Sequence, residues 1–90
     1  MDITVGTIAY SKAGHDKHNM FIVLKVENGY AYIADGDTRK AEKPKKKKLI
    51  HLQKTNYVYE NISENIENFE IRRIIAQHKP IYVKGGYFFG

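Results

Sequence analysis

Hydrophobic and polar positions along this chain follow two different periods. Up to about residue 52, short apolar runs alternate with turn residues. Residues 5–10 read as a strand, followed by the polar, glycine-containing stretch 11–19. In residues 20–26, Ile22, Leu24 and Val26 are placed on one face, and Lys25 marks the other as the wetter one. Asn28 and Gly29 separate this run from the next, residues 30–35. Two strand-like runs joined by Asn-Gly predict a tight type I′ hairpin, because both residues tolerate positive φ. Gly36 and Asp37 mark a second tight turn, and residues 49–52 alternate as a short closing strand. Four or five short strands at this spacing predict a mainly β domain, a small barrel. One hairpin alone is marginal in water, so closure is physically required.

The last third changes period. Residues 53–65 read as a connection with some extended character at 57–59. Asn68 is the expected N-cap of a short C-terminal helix at about 69–78, in which Ile71, Ile74 and Ile75 share one face. Glu70 in its first turn, His78 and Lys79 near its last, and Pro80 beyond agree with the helix dipole and with proline chemistry. So short a helix must dock its isoleucine face to persist. Gly85 and Gly86 then interrupt an apolar tail, as a hairpin or as a flexible break. The expected organisation is one domain. Residues 1–54 form the barrel, and residues 55–90 form an extension whose helix and tail pack on it.

Composition narrows the chemistry. A chain of 90 residues buries only ~60–65% of its unfolded surface and does not easily enclose a deep catalytic cavity. The absence of cysteine removes disulfides, thiolate metal sites and thiol catalysis together. No basic leader and no long apolar run are visible, so a cytoplasmic protein without membrane contact is expected. Charge is unevenly spread. Residues 1–37 carry three Lys against five acids, and residues 55–90 carry four of each sign. Residues 38–54 carry eight Lys or Arg against Glu42 alone, which predicts one polyanion-facing edge.

Three stretches carry a family resemblance. The run 6–18, with Ser11-Lys12-Ala13-Gly14, resembles the start of a KOW motif, and residues 21–26 resemble its second strand. Ala34-Asp35-Gly36-Asp37 followed by Lys43-Pro44-Lys45-Lys46-Lys47-Lys48 is similar to small bacterial KOW-domain RNA-binding proteins. Those in turn resemble KOW proteins of the large ribosomal subunit. The resemblance covers residues 6 to about 54. It implies an SH3-like barrel and a loop near RNA whose central glycine is Gly14. Where the family pattern usually has glycine four residues later, this chain has His18. Either Asn19 takes the left-handed position or the turn is reshaped.

Lys43, Lys45, Lys46, Lys47 and Lys48 are the leading candidates for RNA contact, held on an extended edge outside the core because Pro44 disfavours helix before it. Lys12, His15 and Lys17 flank Gly14 as further phosphate contacts. Arg39 and Lys40 follow a tight turn, where Arg39 either meets RNA or pairs with Asp37. His15, Asp16 and His18 lack a strong metal spacing, and no metal or cofactor is expected. Asp35 and Asp37 around Gly36 read as turn chemistry, not catalytic carboxylates. Tyr10, Tyr30 and Tyr32 read as packing more than as base-stacking groups. The function expected is non-enzymatic RNA binding, with ribosomal RNA or the large ribosomal subunit as partner and no small-molecule substrate. The rivals are an SH3-like protein-interaction module and a DNA binder.

Overall fold

The computed structural model describes residues 2–63, 65–78, 80–83 and 86–89. Five antiparallel strands, β1 (Thr7–Ser11), β2 (Met20–Glu27), β3 (Tyr30–Ala34), β4 (Lys45–Lys48) and β5 (Leu52–Val58), form one sheet in the order β4-β3-β2-β1-β5. The helix α1 (Asn68–His78) packs against it, and β6 (Pro80–Val83) pairs with β7 (Gly86–Phe89) as a separate ribbon. Gly85 and the packing of the apolar tail lie outside the described residues. Among the described residues no helix is long and apolar enough to cross a membrane.

The β2–β3 hairpin is built as its Asn-Gly turn requires, with φ of +50° at Asn28 and +81° at Gly29. Glu27 pairs with Tyr30, Val26 with Ala31 and Lys25 with Tyr32. The register then shifts between Val23 and Lys25, so Leu24 is the extra residue of a bulge. This shift corrects part of the expected common face of Ile22, Leu24 and Val26: Leu24 packs against the cluster that holds Ile22, and Val26 falls on the other face opposite Ala31. Ile22 is fully buried, Leu24 half-buried and Val26 exposed.

Each face of the sheet carries a buried hydrophobic cluster. Ala9, Phe21, Val23, Ala31, Ile33 and Leu52 form the inner cluster. On the outer face, Ile8, Ile22 and Ala34 meet Ile71 and Ile75 of α1, with Ile74 packed against them. The isoleucine stripe of the helix therefore docks as its period predicted. The N-cap does not follow the expectation. The Glu67 carbonyl accepts from the Ile71 N–H (3.1 Å), and the Glu67 N–H donates to Glu70 Oε1 (3.3 Å), half of a capping box. Asn68 is used elsewhere. It accepts from the Ala41 N–H (2.8 Å) and donates to Glu42 (2.6 Å), tying the helix start to the segment before β4.

Two strand boundaries also differ. Val5 is exposed and precedes β1, which begins at Thr7. Of residues 49–52, expected as a closing strand, 49–51 are a 3-10 helix; Leu52 begins β5, the strand that closes on β1 and runs on into the stretch read as a connection. Apolar alternation placed the strand too early, because Gln53, Lys54, Thr55 and Asn56 give an edge strand little hydrophobic signature.

Candidate nucleic-acid interface

The lysine run forms β4, an edge of the sheet, and period two divides it. Lys45 pairs with Ile33 and Lys47 with Ala31, so both project toward the inner face. Lys46 pairs with Tyr32 and Lys48 with Tyr30, so both project outward.

Asp16 determines what the inner lysines do. Lys47 Nζ donates to Asp16 Oδ1 (2.8 Å) and to the Ala13 carbonyl (2.7 Å). Lys45 Nζ donates to Asp16 Oδ2 (2.9 Å), and the Ser11 hydroxyl lies 2.9 Å from Asp16 Oδ1. Asp16 and Lys47 are each only 7% exposed. The lysine block was expected to lie outside the core, and Lys47 corrects that: it is a buried cation closing a charge network. Burial pushes the Asp16 carboxyl up, but hydrogen bonds from Lys47, Lys45 and Ser11, with the charge of Lys47, hold it well below the usual carboxylate range.

This network pins the 11–19 loop to β4. Within the loop, the Lys17 N–H donates to the Gly14 carbonyl (3.2 Å) and the His18 N–H to the Ser11 carbonyl (2.8 Å). Gly14 has φ +84°, the left-handed backbone expected of it. His18 itself adopts φ +72°, so the left-handed position does not pass to Asn19. Lys12, Gly14, His15 and Lys17 are all exposed around the pinned turn. An added Cβ at Gly14 would contact Lys47 Nζ and Asp16 Oδ1 at 3.4 and 3.6 Å. Gly14→Val should therefore cost ~1–3 kcal/mol from backbone strain, measured by urea denaturation. Wild-type stability in that variant would remove the geometric requirement.

The remaining candidates sit before β4. Asp35 accepts from the Asp37 and Arg39 N–H groups (2.8 Å each) and from the Thr38 hydroxyl (2.7 Å). Burial pushes its carboxyl up, and these bonds, led by the Arg39 N–H, outweigh it and lower it. Arg39, Lys40 and Lys43 are exposed, and among the described residues Arg39 and Asp37 form no ion pair. No cluster of His, Asp and Glu with metal-binding geometry occurs among the described residues.

The outer face adds a cation that the sequence reading passed over. Lys25 pairs with Tyr32 across β2–β3, its Nζ 5.5 Å from the ring centroid, and Lys46 Nζ lies 4.5 Å from the Tyr30 ring. Counting outward from the Asn-Gly turn would have found this pairing. The structure thus assembles exposed cations along one sheet edge and its adjoining loop, with Lys45 and Lys47 engaged internally. The chain matches no known family model, and no curated protein matches it significantly.

Proposed function

We propose that this chain is a non-enzymatic, cytoplasmic RNA-binding protein built on a KOW-type SH3-like barrel and associated with ribosomal RNA or the ribosome. The barrel reading is supported by the connection between the two edge strands. Only three residues of 3-10 helix separate β4 from β5. They span about 8 Å or less, whereas the edges of a flat five-stranded sheet lie about 19 Å apart. The sheet must curl for so short a link to join its edges.

The observation that carries the RNA reading is the fixed juxtaposition of exposed Lys46 and Lys48 on β4 with exposed Lys12, His15 and Lys17 on the loop that Asp16 anchors to it. Arg39, Lys40 and Lys43 extend the same basic region. Spaced cations on a rigid edge suit phosphate oxygens and carry modest base selectivity. If about four of them neutralise phosphates, log K should fall with log salt at a slope of roughly −3, or about fifty-fold between 50 and 200 mM. Replacing Lys46 and Lys48 by Gln should flatten the slope by about 1 to 1.5. Filter binding of a structured ribosomal RNA fragment across salt tests this. A salt-independent affinity, or none at low salt, would falsify the proposal.

A protein-interaction reading has its own observation. Ile50 is 74% exposed beside Val26 and Leu49 at one end of the sheet. A partner retained after nuclease treatment and lost in Ile50→Asp would favour that reading.

A further inference from the structure

The outer face of β2–β3–β4 is divided by α1. Ile8, Ile22 and Ala34 lie under the helix, and beyond them the same face continues into two open rows across the strands. One row is Lys25, Tyr32 and Lys46, and the other is Glu27, Tyr30 and Lys48. Tyr30 and Tyr32 are half-buried yet belong to neither hydrophobic cluster, unlike Tyr10 and Tyr59. Among the described residues their hydroxyls have no hydrogen-bond partner, whereas Tyr59 Oη meets His78 Nε2 at 2.6 Å. Their ring contacts are with the ammonium groups of Lys46 and Lys25.

We propose that this face binds unpaired bases of single-stranded RNA, with Tyr30 and Tyr32 each stacking one base and Lys25, Lys46 and Lys48 taking the flanking phosphates. The assignment rests on the RNA-binding reading and narrows it to a subsite. Two residues apart on one strand, the rings are spaced by about 6.7 Å. That is about twice the 3.4 Å rise along a duplex strand, so the bases they hold must be splayed apart, as in loops and ends. An arriving base exchanges a weak cation–π contact for stacking and frees the ammonium for the phosphate beside it. Glu27 is the one acid in these two rows among the described residues, and its exposed pair with Lys25 (3.5 Å) is readily given up. Three cations against one acid favour a polyanion, and two accessible rings favour one with bases.

Fluorescence anisotropy of the full chain with an oligouridylate of roughly eight nucleotides and with an RNA duplex, in about 50 mM salt, tests the assignment. Tyr30→Leu and Tyr32→Leu should each weaken oligouridylate binding about tenfold, with duplex affinity and the salt slope unchanged. The Phe variants should restore wild-type binding, because they keep the ring. Circular dichroism confirms that each variant is folded. Unchanged oligouridylate binding in folded Leu variants overturns the subsite while leaving the phosphate edge intact. So does an equal loss on oligouridylate and duplex. A wild-type chain that binds neither RNA overturns the function proposal and the subsite together.

Discussion

Asp16→Asn should lower the thermal midpoint by roughly 15 °C or more. The carboxylate is the counter-charge of a lysine that β4 has already buried. Removing one member of such a pair costs ~3–5 kcal/mol, because the other is left uncompensated. Each kcal/mol is worth about 4–8 °C in a domain of this size. Lys47→Met should cost less, since the thioether fills the same volume and Lys45 still partners Asp16. The pH dependence gives a second readout. A carboxyl depressed in the folded state contributes stability above its unfolded value of about 3.9 that is lost as pH falls toward the folded value. Wild type should therefore lose stability progressively below about pH 4, and the gap between it and Asp16→Asn should narrow there. Asp35, depressed in the same direction, keeps part of that acid limb in both proteins. Parallel acid profiles would show that the Asp16 network contributes nothing to stability.

The second large effect is expected at Gly6. Its φ is +91°, its N–H donates to the Val23 carbonyl, and its carbonyl accepts from the Tyr59 N–H, both at 2.8 Å. An added Cβ would land on the carbonyl of Tyr59, a backbone atom held in place just beyond β5. Gly6→Ala should cost about 3 kcal/mol, combining the left-handed penalty with overpacking. Gly29 is the control. It has φ +81° but open space around its Cβ position, so Gly29→Ala should lose only ~1–2 kcal/mol. Equal losses in the two variants, measured by urea denaturation, would mean that the close approach at Gly6 is unimportant.

How much of this was legible from the residues depends on how local the cause is. The Asn28-Gly29 turn, the isoleucine stripe and the left-handed Gly14 all follow from chemistry within a few positions, and each is found in the structure. Asn68 misled because its side chain has a better use 26 and 27 residues away, at Glu42 and Ala41. The bulge at Leu24 leaves no mark in the composition, yet it decides which side chains share a face with Tyr32. Among the candidate site residues, alternation along β4 alone would have separated Lys45 and Lys47 from Lys46 and Lys48. That Asp16, 29 and 31 positions earlier, would claim the first pair follows only from tertiary geometry.

The pairing of β1 has a consequence for the order of assembly. One side of β1 is satisfied by β2, with Tyr10 opposite Met20 only ten positions on. Its other side waits for β5, where Ser11 meets Leu52 and Thr7 meets Val58, separations of 41 and 51 residues. The meander from β1 to β4 is joined by sequence-local contacts, but the seam is not. Until it closes, the β1 edge is an open template for another chain. The rate-limiting event expected of such a topology is this non-local search, on the milliseconds-to-seconds scale of β-rich domains dominated by non-local pairing. Crowding of nascent chains would punish slow closure at the seam before any other part of the fold.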